Sequence, residues 1–218
     1  ITERYDGYGN SIRRVMERKE SNKGIVGVVA DIIKTKKQYE TAIETALGGS
    51  IQNIVTDNED TAKELIAFLK QNKYGRATFL PLSAISGRDV KVDSALTGEK
   101  GAIGFANQLV ECDREFDELA RYLLGRILVV DHIDNALAIA RKYRHSLRIV
   151  TLEGDMLSSG GSMSGGAFKN SSNLLGRRRE IEELEASISQ NETKLKNSEA
   201  ELASKKETLG SLRTEIEQ

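Results

Sequence analysis

Ile181, Ile188, Leu195, Leu202, Leu209 and Ile216 recur at seven-residue intervals near the C-terminal end, and all six are apolar. A strict heptad keeps one stripe along a slightly underwound helix and needs a second helix to cover it. It therefore specifies a coiled coil rather than an ordinary amphipathic helix. The alternate seam positions in this register are Leu184, Asn191, Ser198, Lys205 and Leu212. Three polar residues among them weaken the seam, which argues against a tight, self-contained pair of tails. At about 1.5 Å per residue, Ile181 to Ile216 extends roughly 54 Å. No proline interrupts the stripe, and the chain offers no second helix of matching length.

The residues ahead of the stripe are of another kind. All eleven aromatics lie between Tyr5 and Phe168. Residues 169–218 carry 9 basic and 10 acidic side chains in fifty, against 17 and 19 in the 145 residues from Gly24 to Phe168. A body of that length buries a core of its own, and the serine- and glycine-rich stretch from Ser158 to Gly176 marks its boundary. The net charge of −1 removes a bulk electrostatic case for nucleic acid and leaves only a local patch to consider. No run reaches the roughly 18–20 apolar residues that span a bilayer. The lone Cys112 forms no internal disulfide, and with only His132 and His145 it makes no thiolate zinc site. A reducing, cytoplasmic setting is the expectation. The opening Ile-Thr-Glu-Arg has neither a start methionine nor a signal-peptide pattern, so a piece of a longer polypeptide is expected.

Within the body, one order of elements occurs twice. A helix over Tyr39–Leu47 leads through Gly48-Gly49 to the strand Ile51–Asp57, the helix Thr61–Leu69 and the strand Arg76–Leu80. The helix Phe116–Leu124 leads through Gly125 to the strand Ile127–Asp131, the helix Asn135–Ala140 and the strand Leu147–Leu152. The offset is about 72–74 residues. The pattern predicts an α/β (α+β) fold of two related subdomains with mixed sheets, an extra strand over Gly24–Ala30, and a long coiled-coil helix behind them. Ser86–Asn107, glycine-bearing and weakly patterned, reads as a linker or irregular excursion.

No catalytic constellation is visible. There is no P-loop, and Gly98, Gly101 and Gly104 have the wrong spacing for a dinucleotide fingerprint. His132 follows Asp131 at a strand end, where an exposed loop histidine is the plainer reading, and His145 stands near a helix C-terminus, where cations suit the helix dipole. The Leu157–Gly161 core is similar to the signature loop of ABC-type ATPases, and its serines are similar to the mobile loop of fumarase-type lyases. The first needs a P-loop and the second a proline and an all-helical core, which are missing here. Gly161-Ser-Met-Ser-Gly165 has Met163 where a nucleophile elbow needs serine. An enzyme reading therefore reduces to a small α/β enzyme with a coiled-coil tail, using His132, Asp131 and the Ser158–Ser164 loop. The structural reading is more concrete: close-set glycines admit positive φ and let another backbone approach without Cβ contact. An exposed strand of this kind pairs readily with another chain.

Gly154, Gly161, Gly165 and Gly166 form the pattern G-x6-G-x3-G-G. With Ala46-Leu-Gly-Gly49, Gly75-Arg-Ala-Thr-Phe-Leu-Pro-Leu82 and a coiled coil just downstream, the chain resembles the hinge domain of prokaryotic SMC (structural maintenance of chromosomes) proteins over roughly Tyr5 to Arg179. The resemblance implies a toroidal homodimer whose sheets join across two symmetric interfaces. Gly154, Gly161, Gly165 and Gly166 would admit the partner strand, with Gly48 and Gly49 serving the opposing face. It divides the chain into the end of an incoming arm (1–23), subdomain I with its linker (24–107), subdomain II with the glycine strands (108–176) and the outgoing arm (177–218). The arm pairs along Ile181, Leu184, Ile188, Leu195, Leu202, Leu209, Leu212 and Ile216 with the incoming arm of the same full-length polypeptide. The ATP-binding heads, and the accessory subunits bound elsewhere on the complex, lie outside the chain. No cofactor, metal or membrane contact is expected, nor enzymatic activity in this portion. The expected role is chromosome condensation and segregation in the cytoplasm, at the nucleoid. Non-specific DNA contact is expected at the arm junction, through Lys169, Arg177, Arg178 and Arg179. The plainer alternative for these arginines is i,i+4 pairing with the glutamates that follow, Glu180, Glu182 and Glu183, on a solvated helix.

Overall fold

The computed structural model describes residues 7–86, 94–166 and 174–216. It divides into two compact units, Ile1–Gly176 and Arg177–Gln218. In chain order, the first repeat holds α1 (Asn10–Met16), β1 (Ile25–Val28), α2 (Val29–Ile32), β2 (Lys34–Thr35), α3 (Glu40–Leu47), β3 (Ile54–Thr56), α4 (Glu59–Gln71) and β4 (Phe79–Pro81). The second holds α5 (Ser94–Thr97), β5 (Ala102–Phe105), β6 (Val110–Glu111), α6 (Asp117–Leu124), β7 (Ile127–Val130), α7 (Ile133–Lys142), β8 (Arg148–Thr151), β9 (Met156–Leu157) and β10 (Met163–Ser164). Helix α8 spans Leu174–Ile216.

The helices begin where local chemistry favours it. Asn58 caps α4 by accepting the Thr61 amide at 2.9 Å, and Asp57 accepts from the Thr61 hydroxyl at 2.7 Å. Glu59 and Asp60 then fill the first turn, where carboxylates suit the helix dipole. Ala62, Leu65 and Leu69 form the buried stripe of α4, at the spacing of one helix face.

The duplication extends further than the sequence pattern indicates. In the first sheet β1 runs antiparallel to β3, and β3 runs parallel to β4 across α4. In the second, β5 runs antiparallel to β7, and β7 runs parallel to β8 across α7. Both antiparallel pairs slip register beside a glycine, Gly27 in one and Gly104 in the other. The segment expected to be irregular therefore holds an ordered strand, β5, the counterpart of β1. The short strands β2 and β6 occupy matching places in the two repeats and pair with each other.

The second sheet continues through β9 and β10 to give the order β10-β9-β8-β7-β5, whereas the first stops at β1-β3-β4. All four residues of β7 are buried. Ile127 and Val129 enter a core shared by both repeats, with Val15, Val28, Ile43, Ile54 and Leu119. Leu128 and Val130 face a second core with Ile139 and Ile149. This is the two-residue alternation of a strand covered on both sides. Taken by itself, the second unit is one helix, in which Leu184, Ile188, Leu195, Leu202, Leu209, Leu212 and Ile216 are all more than half exposed. Among the described residues, no helix is long and apolar enough to cross a membrane.

Candidate association interface

Among the described residues, strand β10 is the outer edge of its sheet, bonded on one side only, to β9. Residues 161–166 are exposed, and Met163 shows 54% of its surface. The turn into β10 is closed by Ser158 N–H donating to Ser162 O at 2.9 Å and Gly160 N–H donating to His145 O at 2.8 Å. Strand β4 is the edge of the other sheet. Its approach is held by α1: Ser11 Oγ donates to Arg76 O at 2.8 Å, and the Arg14 guanidinium stacks over Tyr74 at 5.2 Å; just past α1, Arg18 stacks over Phe68 of α4 at 4.5 Å. Beside it lies an apolar cleft of about 460 Å³, lined by Ile66, Leu69, Gly75 and Ala77 with Lys70 and Arg76.

The glycines expected to serve opposing faces come together in one chain. Gly48, Gly154, Gly165 and Gly166 line a single cleft of about 490 Å³, with Glu44 and Ile51 among its other walls. They differ in what they permit. A side-chain carbon on Gly49 meets nothing within 4 Å and its φ is ordinary, so nothing within the described chain requires glycine there. On Gly165 the same carbon would overlap the Asp155 carboxylate, so that glycine is needed within the chain itself. Gly161 lies against the His145 ring, with its added carbon 3.9 Å away.

Glu44 is a member that sequence reasoning missed. Only 7% exposed, it accepts the Leu174 amide of α8 on Oε1 at 3.2 Å, while Oε2 is buried and has no hydrogen-bond partner among the described residues. Burial pushes its carboxyl above the ordinary range, the Leu174 and Leu175 amides oppose this, and Glu40 adds to it. The available signal was the composition of α3, whose polar positions hold threonines and glutamates and no lysine or arginine.

The expected DNA-contact residues divide. Lys169 lies outside the described residues. Arg178 Nε donates to Glu182 Oε1 at 3.0 Å and Arg179 Nη1 to Glu183 Oε1 at 2.7 Å, the i,i+4 pairing that was the plainer reading; Arg177 is exposed. His132 is exposed and its ring stands 3.9 Å from Glu153, and it lines neither cleft described above. Among the described residues, no cluster of His, Cys, Asp and Glu could hold a metal ion.

A duplicated mixed α/β body with two sheet edges left open among the described residues, and a long helix with an exposed apolar stripe, is the architecture of an association module. The chain belongs to the SMC hinge family: residues 22–140 match the profile described as "SMC proteins Flexible Hinge Domain". It is 44% identical to the chromosome partition protein Smc of Clostridium kluyveri over 82% of its own length and 16% of that protein's. The chain thus spans less than a fifth of the curated relatives it matches. Among solved structures it resembles an SMC hinge domain of Geobacillus stearothermophilus, crystallised as an asymmetric dimer, with 39% identity and a TM-score of 0.78 over 85% of this chain and 76% of that one. It also resembles a Pyrococcus furiosus Smc hinge domain with an extended coiled coil, with 29% identity and a TM-score of 0.61 over 86% and 70%. A hinge domain is a non-catalytic portion of these proteins, and the enzyme reading is set aside on that ground.

Proposed function

We propose that this chain is the self-association hinge of a chromosome-organising SMC protein acting in the cytoplasm, at the nucleoid. Two copies join through their glycine-flanked sheet edges and so hold two pairs of coiled-coil arms in a ring or V. The observation that carries this reading is β10, an exposed edge strand next to Gly165-Gly166 and the cleft they share with Gly48. Open edges are templates for another strand, and β10 of one copy on β4 of the other, applied twice by a two-fold axis, leaves neither edge open. The dimeric form of the Geobacillus stearothermophilus hinge supports it. The exposed stripe of α8 is then the outgoing arm's seam for the incoming arm. Sedimentation equilibrium of the chain tests the reading: a dimer that survives removal of the residues beyond Arg179 is expected, and a dimer that disappears with the tail would assign association to the coil.

DNA contact is a secondary part of the proposal, carried by Arg177–Arg179 and Lys169. Since Arg178 and Arg179 already face glutamates, their field is partly neutralised, and the contact is weak and set by phosphates alone.

A further inference from the structure

A carboxylate oxygen shut away from water with no donor is a costly arrangement, and folded chains rarely leave one. Glu44 Oε2 is such an atom. Its neighbour Oε1 already serves the start of α8. Among the described residues, no lysine or arginine lines the cleft that Glu44 shares with Gly48, Ser164, Gly165 and Gly166. The open glycine wall is where a cation from outside would enter.

We propose that this cleft receives Arg76 of a second copy, whose guanidinium donates to Glu44 Oε2 when β4 of that copy pairs with β10. The inference rests on the hinge reading and adds the side chains that fix its register. Arg76 is exposed, sits three residues ahead of β4, and has its backbone fixed by Ser11. Antiparallel pairing that sets Met163 opposite Phe79 of the second copy sets Gly166 opposite Arg76. Gly166, whose added side-chain carbon would meet nothing within 4 Å, leaves room for the arginine to reach inward. The same register brings exposed Met163 to the second copy's apolar cleft at Ile66, Leu69 and Ala77, so each copy gives an apolar and a cationic group and receives both. Arginine suits the site because its planar fork delivers two donors to one carboxylate.

A double-mutant cycle on the full chain tests this. Dimer dissociation constants are measured by sedimentation for wild type, Glu44→Gln, Arg76→Gln and the double variant, with melting of the diluted monomer followed by circular dichroism. Glutamine keeps an oxygen for the Leu174 amide, so the fold is retained. Each single change is expected to weaken association at least about tenfold, and the double change no more than either single one. Unchanged constants, or losses that add, would overturn the pairing while leaving the hinge reading in place. A lower melting temperature of the Glu44→Gln monomer with unchanged association would make Glu44 a cap of α8 only, and overturn it equally. A wild-type chain that stays monomeric at every concentration would instead overturn the hinge reading beneath it.

Discussion

At the scale of single residues, the glycines differ in what stands against them: Gly165 faces Asp155, whereas Gly48, Gly49 and Gly166 face open space. Gly165→Ala drives a methyl into Asp155, which accepts from Thr151 Oγ1 at 3.1 Å and pins the turn behind β9. Overpacking of this kind costs about 1–3 kcal/mol, and a lowered melting temperature of the monomer is the expected readout. Gly49→Leu meets open space and leaves that melting within about 0.5 kcal/mol of wild type. It is expected to weaken self-association, read by sedimentation, because the partner's approach is what it blocks. Glu44 makes a prediction of opposite character. Its carboxyl is raised above 4.5 by burial, against the Leu174 and Leu175 amides and with help from Glu40. A raised carboxyl contributes stability that is fully present below its ordinary value and fades as pH rises through the raised one. Melting of the dilute chain between pH 4 and 7 should therefore fall more steeply in wild type than in Glu44→Gln; equal slopes would show that Glu44 does not carry it. None of these distinctions was legible in the glycine spacing, which shows where backbone is bare and not what stands against it.

At the scale of elements, legibility followed length and periodicity. Helix α6 and the strands β3, β7 and β8 fell within the expected segments, and α4 and α7 run two residues past theirs at each end, because each repeats an apolar residue at its own period. Strand β5 did not. It is four residues long, contains Gly104 at φ 155°, and slips register there, so neither alternation nor β-branched composition announces it. Its place as the partner of β7 comes from tertiary pairing and from symmetry with β1. Strand β10 is two residues long and was legible only through its glycines. The long helix α8 was legible from its heptad, and seven of the eight residues expected on its seam are exposed apolar side chains, with Ile181 half-buried. Leu195→Asp should leave melting of the body unchanged, because the stripe lies in a unit of its own. It should abolish capture of a synthetic incoming-arm helix in a pull-down; a fall in body stability would place the stripe in the fold rather than in the arm.

At the scale of the whole molecule, two repeats share one core and end in two unlike edges. The first sheet closes on β4, whose approach α1 holds through Ser11 and the Arg14 stack over Tyr74. The second ends on β10, and its glycine cleft touches the first residue of α8 through Glu44. Helix α1 and the start of α8 therefore each stand beside the approach to an edge strand. Near-neutral charge agrees with a module whose chief partner is itself. If phosphates are also bound, neutralising Arg177, Arg178 and Arg179 together should lower the slope of log affinity against log salt by up to about 2–3, at roughly 0.7–0.9 for each phosphate no longer neutralised. Fluorescence anisotropy on labelled DNA reads this directly, and an unchanged slope would exclude the cluster from DNA contact. Whether glycine-flanked sheet edges, and not the coil, join two copies is decided by sedimentation equilibrium of the chain truncated after Arg179, with and without Gly49→Leu. The expected result is a dimer for the truncated chain and a marked shift to monomer for the glycine variant. A monomeric truncated chain, or a variant that dimerises as tightly as its parent, would show that the sheet edges do not hold the two copies together.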